Sequence, residues 1–187
     1  MASSYSTDLK LELMVTGENS GTWGDKTNSN LNLLQQAVAG YEAVSIAGGA
    51  QTTALAMTNA TLSNARNAVI ELTGTITGNQ IVTIPDGIEK TYVIKNGTTG
   101  SFTVQFKTVS GSGFTFATTD KGTRLAYSNG TDVVDVNAAF TTISQFTLPA
   151  SDGTSGQAIV TNGSGTLSFD DAGISTGKAI AMAIVFG

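Results

Sequence analysis

Carboxylates and amines carry nearly all the reactive chemistry open to this 187-residue chain, which has neither histidine nor cysteine. That removes Ser-His and Cys-His nucleophiles, thiol chemistry, disulfides and most zinc sites. Among the acids, Asp170-Asp171 follows a short strand and could offer oxygens to calcium. A solvated turn uses the same residues. Asp152-Gly-Thr-Ser-Gly and Asn162-Gly-Ser-Gly mix glycine with oxygen ligands, again as ordinary turns do. Ser110-Gly-Ser-Gly lacks the Lys-Ser/Thr that completes a phosphate loop. Glu71, Asp86, Glu89 and Asp135 are acids of the type a glycosidase pair requires, but nothing in their spacing brings two together. Trp23, the sole tryptophan, could stack on a sugar or anchor the start of a helix; Tyr92, Phe114 and Tyr127 are the other candidates for an aromatic platform. No catalytic, cofactor-binding or metal-ligating set emerges, and the expectation is a protein that is not an enzyme.

Charge narrows the partners. Charged residues make up 12% of the chain, against about 25% in an average domain. The net charge is −5, with no basic run to neutralise phosphates, so nucleic-acid binding is not expected. The opening residues are polar and lack the apolar core of a signal peptide. The one long apolar run, residues 179–186, is far below the ~20 residues of a membrane-spanning helix, and no membrane insertion is expected.

Residues 17–41 hold the only convincing helix. Asp25 or Thr27 can cap it, and Thr22-x-x-Asp25 fits a capping box one step earlier. Leu31, Leu34, Val38 and Tyr41 recur at spacings of three, four and three, which places them on one stripe. Gly40 is suited to end the helix with a positive φ. A helix of about four turns is unstable alone, so its stripe must bury against this chain or against copies of it. Trp23 is expected to anchor its entry turn.

The rest reads as strand and turn. The 22 glycines and two prolines, with abundant Thr and Val, suit many short strands. Leu9, Leu11, Leu13 and Val15 alternate with polar residues and predict an early strand. Strands are expected at 42–46, 52–57, 68–73 and 80–84, with a loop or short helical turn over 59–67. Segments 90–95 and 102–107 look like a hairpin about residues 96–100, and Asn129-Gly130 predicts another between 123–127 and 131–136. Residues 42–140 thus read as a β-sandwich or small barrel-like domain. Beyond it lie a glycine-rich unit with an apolar triad at 158–160, a return strand at 166–169, and a final strand. In that strand Ile180, Met182, Ile184 and Phe186 alternate with smaller residues, implying burial on both faces. The organisation expected is an attachment segment at 1–41, a β-domain at 42–140 and a carboxy-terminal unit at 141–187. The fold class is mainly β.

Four stretches resemble structural proteins of tailed bacteriophages, particularly tail-fibre-like proteins of marine and cyanobacterial phages. GENSGTWGDKTNSNLNLLQQAVAG resembles an amino-terminal fibre segment. TRLAYSNGTDVVDV is similar to the closing hairpin of the β-domain that follows it. LPASDGTSGQAIVTNGSGTLSF is similar to a turn-rich unit of shafts and tips, and STGKAIAMAIVFG to a carboxy-terminal ending of phage appendage proteins. The resemblance implies a virion protein of the tail, made in the host cytoplasm, and a homotrimer whose chains intertwine. It implies attachment through the amino-terminal segment to a tail tube, nozzle, adaptor or baseplate protein, and service in host adsorption. A distal fibre protein or host surface polysaccharide are further partners it implies. Assembly contacts are expected at Trp23, Leu31, Leu34, Val38, Tyr41, Ile180, Met182, Ile184 and Phe186. A capsid decoration (cement) protein and a carbohydrate-binding tail module are the alternatives. Tail fibres usually carry a long shaft and a large receptor-binding tip; here one β-domain and a short ending are expected.

Overall fold

The computed structural model describes residues 3–136, 142–143, 146–173, 180 and 184–185. The chain divides into two compact units, residues 1–137 and 138–187.

The first unit begins with a two-residue pair, β1 (Ser4–Tyr5) against β2 (Glu12–Leu13). The early strand expected over residues 9–15 is therefore almost absent. Lys10 takes a φ of 55°, which breaks the extended backbone, and the alternation is inverted: Glu12 is buried while Leu13 is exposed. Helix α1 (Trp23–Ala39) follows. Thr22 sits at its N-cap without a side-chain cap bond, Asp25 lies in its first turn, and the Thr27 hydroxyl donates back to the Trp23 carbonyl. Gly40 ends it in an extended conformation (φ −71°), not the left-handed one expected. Glycine is needed there because a Cβ would overlap the Gln36 carbonyl oxygen and the Asn67 side chain.

The next six strands wind as three coils, each giving one strand to each of two sheets. The strands are β3 (Tyr41–Ser45) and β4 (Gln51–Ala54), β5 (Val69–Thr75) and β6 (Gln80–Ile84), and β7 (Glu89–Thr99) and β8 (Val104–Thr108). A 3-10 turn at Asn64–Arg66 lies between the first two coils. β3, β5 and β7 are parallel neighbours in one sheet, and β4, β6 and β8 in the other. β7 and β8 are thus not a hairpin, contrary to the sequence expectation. They stand in different sheets, each paired to the coil before. The chain then reverses: β9 (Gly113–Phe116) runs antiparallel to β8, and β10 (Thr123–Asn129) antiparallel to β7. β11 (Val133–Asp135) pairs with β10 in the hairpin expected at Asn129-Gly130. There Gly130 takes a φ of 88° and Asn129 Oδ1 accepts the N–H groups of Thr131 and Asp132.

The sheets run β11-β10-β7-β5-β3 and β4-β6-β8-β9, and their inner faces share one core. It is a sandwich of two mostly parallel sheets with no closed barrel. Ile70, Leu72, Tyr92 and Ile94 meet Val82, Ile84, Val104 and Phe106 across it. Burial on this scale supplies the hydrophobic driving force that short strands cannot supply alone. Tyr92 and Phe106 contact edge to face, with ring centroids 6.0 Å apart. At the corner between sheets, the buried Gln80 amide donates to the carbonyls of Gly48, Gly49 and Gly78, tying the first coil to the second.

The second unit holds two antiparallel pairs, β12 (Thr142–Ile143) with β13 (Phe146–Thr147), and β14 (Gln157–Thr161) with β15 (Leu167–Asp171). The latter pair matches the expected triad and return strand. A strand was expected over 178–187. Of that segment, Ile180, Ile184 and Val185 are described; they are helical and exposed. Met182 and Phe186 lie outside the described residues.

Candidate functional site

Along one side of α1 the lead peptide is clamped to the helix, and both are clamped to the 58–66 loop. Glu12 is the first clamp. Its carboxylate meets Lys26 Nζ at 3.0 Å and accepts the Ser3 hydroxyl at 2.8 Å. Its main-chain N–H and C=O pair with the Asn30 side chain at 2.9 and 2.8 Å. The Lys26 contact, helped by Ser3, holds the Glu12 carboxyl below the usual carboxylate range. One turn on, Leu33 is buried at 2% exposure.

Arg66 is the second clamp. Its side chain is fully buried, and among the described residues no carboxylate is one of its hydrogen-bond partners. Instead Nε donates to the Leu9 carbonyl at 3.0 Å, and Nη1 to Gln36 Oε1 at 3.2 Å and the Thr61 carbonyl at 2.5 Å. Nη2 donates to the Thr58 carbonyl at 2.6 Å. A planar fork of five donors suits such a cage. Burial lowers the pKa of this guanidinium from its ordinary value, and four neutral oxygens replace the water it has lost. The cage joins the lead peptide, the helix and the 58–66 loop in one knot. Nearby, Lys90 Nζ donates to the Asn67 and Thr91 carbonyls and lies 4.3 Å from the Tyr92 ring centre. Burial pushes its pKa down to about 8.

With one side of α1 so fixed, its remaining apolar residues face outward. Trp23 is 65% exposed, Val38 78%, and Leu31 and Leu34 are exposed as well. Two corrections to the sequence reading follow. Trp23, expected to anchor the entry turn, is mostly exposed. Tyr41 is not on the helix, because the extended Gly40 makes it the first residue of β3. Tyr41 is nevertheless exposed at the end of the same segment. It begins an outward-facing row that crosses the sheet through Val69 and Val93 to Leu125. The Tyr41 hydroxyl donates to Glu71, which also pairs with Lys95 at 2.8 Å; Lys95 first, then Tyr41, holds the Glu71 carboxyl low. Between α1 and β3 lies a groove of about 370 Å³, lined by Gln35, Ala39, Gly40, Tyr41 and Leu62.

The chemistry-bearing candidates are dispersed. Glu71 is engaged with Lys95, Asp86 accepts the Ser110 N–H and hydroxyl at 3.0 and 2.7 Å, and Asp135 pairs with Arg124. Asp170 and Asp171 do not follow the return strand as a turn but are its last two residues, paired with Ala158 and Gln157, and the Asp171 N–H donates to the Asp170 carboxylate. Among the described residues no three metal-ligating side chains gather, and no helix is long and apolar enough to cross a membrane. The aromatic platform does not form. Tyr92 and Phe114 are core residues, and only Tyr127 is exposed. The residues that sequence reasoning missed are Glu12, Arg66 and Lys90. Their signal was faint: an acid inside an apolar alternation, and an arginine in a loop without a nearby acid.

No protein-family model, curated protein or solved structure matches the chain.

Proposed function

We propose that this chain is a structural protein of a tailed-phage virion, a short or proximal tail fibre that mounts on a tail component through its amino-terminal segment and serves host adsorption. The observation that carries the reading is the split character of α1. Glu12, Leu33 and the Arg66 cage fix one side of it, while Trp23, Leu31, Leu34 and Val38 are held outward. A helix anchored this firmly with apolar residues left in water is suited to docking on another protein. The low charge of the chain and its dispersed acids accord with a scaffold role.

Immunogold labelling of intact virions with antibodies to the β-domain tests this reading. Label at the tail is expected. Label distributed over the capsid would favour a decoration protein, and absence from the virion would overturn both.

A further inference from the structure

Asparagine is followed by glycine three times, at Asn96-Gly97, Asn129-Gly130 and Asn162-Gly163. Such a pair can react with itself. The glycine nitrogen, once it gives up its proton, attacks the side-chain carbonyl carbon of the asparagine, and glycine has no side chain to obstruct the approach. The fold treats the three pairs differently. Asn129 and Asn162 stand in the turns between β10 and β11 and between β14 and β15, and they share one arrangement. Each main-chain N–H closes its turn, on the Asp132 carbonyl and the Thr166 carbonyl, both at 3.1 Å. Each Oδ1 lies between two main-chain N–H groups: Thr131 at 3.0 Å and Asp132 at 2.7 Å for Asn129, Ser164 at 2.8 Å and Thr166 at 3.1 Å for Asn162. The following glycines have φ of 88° and 77°, and their N–H groups donate to the hydroxyl before the asparagine, Ser128 at 3.3 Å and Thr161 at 3.1 Å. Both asparagines are exposed, and neither carboxamide nitrogen has a partner among the described residues.

These contacts suit ring closure. Attack places negative charge on Oδ1, where two N–H groups already point. The proton that must leave is already bonded to a hydroxyl, which can pass it to solvent hydroxide. We propose that Asn129 and Asn162 are sites of spontaneous self-modification. The glycine nitrogen bonds to Cγ, the Cγ–Nδ2 bond breaks, and the amide nitrogen leaves as ammonia with a proton from water. Water then opens the five-membered imide at either carbonyl. The product is aspartate or, with the main chain rerouted through the side chain, isoaspartate; one water enters and one ammonia leaves. Asn96 is the contrast. It is buried within β7, its Oδ1 accepts the Thr98 hydroxyl at 2.7 Å, and its Nδ2 donates to the Asp120 carbonyl at 2.7 Å, which holds the leaving nitrogen. The Glu71 carboxylate occupies the place of a Gly97 Cβ, and its charge opposes loss of the glycine proton. At Asn129 the rerouted main chain falls just before a tie between the sheets. Asp132 Oδ1 accepts the Ser112 N–H at 2.6 Å and its hydroxyl at 2.9 Å, and the Val133 N–H donates to the Ser112 carbonyl at 3.0 Å. The modification goes beyond the proposed tail role and does not depend on it.

Peptide mapping by mass spectrometry of the full chain, aged in mildly alkaline buffer, tests it. Asn129 and Asn162 should convert roughly tenfold or more faster than Asn96 in the folded chain, and the three rates should converge in denaturant. Asn129→Gln and Asn162→Gln, whose rings would need six members, should each stop conversion at their own position alone. Amide exchange at residues 131–133 should quicken as isoaspartate accumulates at position 129. If either Asn129 or Asn162 stays intact in the folded chain while the denatured chain converts, or if Asn96 keeps pace with them in the folded chain, the assignment is overturned.

Discussion

Arg66 Nε donates to the main-chain carbonyl of Leu9 at 3.0 Å, a bond between residues 57 apart in sequence that ties the lead peptide to the β-domain. Removing the guanidinium orphans the Leu9, Thr58 and Thr61 carbonyls and the Gln36 side chain at once. Arg66→Met should cost about 3 kcal/mol, since each buried unpaired acceptor costs about 1–3 kcal/mol and water will recover part of that. Chemical denaturation gives the loss. Hydrogen exchange should show residues 3–39 loosening before the β-domain opens, and Arg66→Lys, without the fork, should fall between the two.

Tyr92 presents the opposite case. Its hydroxyl is buried with no partner among the described residues, and burial holds its pKa above the ordinary tyrosine value. Tyr92→Phe keeps the ring contact with Phe106 and removes the unpaired oxygen. It should leave stability unchanged or raise it by about 1 kcal/mol, seen as a higher Tm. A loss of more than that would mean the hydroxyl is bonded.

Lys90 sets a pH dependence. With a folded pKa of about 8 against an ordinary value near 10.5, the folded protein releases this proton while the unfolded chain still holds it. The unfolded state then binds more protons, so stability should rise as pH goes from about 8 towards 10. Above about 10, Tyr92 reverses the slope, because the unfolded chain ionises its tyrosine before the folded one does. Urea midpoints across pH 7 to 11 should therefore pass through a maximum. Lys90→Met should be at least as stable at pH 7 and should lack the rise.

The two sides of α1 should respond differently to substitution. Leu33→Ala removes a buried side chain and should cost about 2–4 kcal/mol. Leu34→Asp touches an exposed position and should change stability by less than about 0.5 kcal/mol. On the proposed attachment it should nevertheless abolish incorporation into virions. Normal incorporation of Leu34→Asp would count against α1 as the mounting surface.

Most strands were legible in the sequence because period-two alternation and glycine turns mark them locally. The 69–75, 80–84, 104–108 and 123–129 segments all fell close to expectation. Their pairing was misjudged. Residues 96–100 look like a hairpin turn, but 96–99 continue β7, and the corner at 100–103 carries the chain from one sheet to the other. The clue was a repeat: strand, glycine corner, strand, three times from Tyr41 to Thr108, with Gly48, Gly74 and Gly100 all at positive φ near the corners. Helix α1 was legible, but the direction of its burial was not. Leu31, Leu34 and Val38 have the pattern of a core stripe, yet Asn30, Leu33 and Gln36 face the protein. Polar residues that pair with Glu12 and Arg66 leave no mark in hydrophobic periodicity.

The tie between Ser112 and Asp132 has a consequence for how far assembly can run. A winding open at both ends could stack head to tail without limit, as fibrils do. Here Ser112 and the Asp132–Val133 segment tie the last coil across the two sheets, which closes this end against such stacking. Loosening that tie with Asp132→Ala should free the last coil. Slow polymerisation of that variant, absent in the parent chain, would reveal the tie as a guard against runaway association as well as a closure of the core.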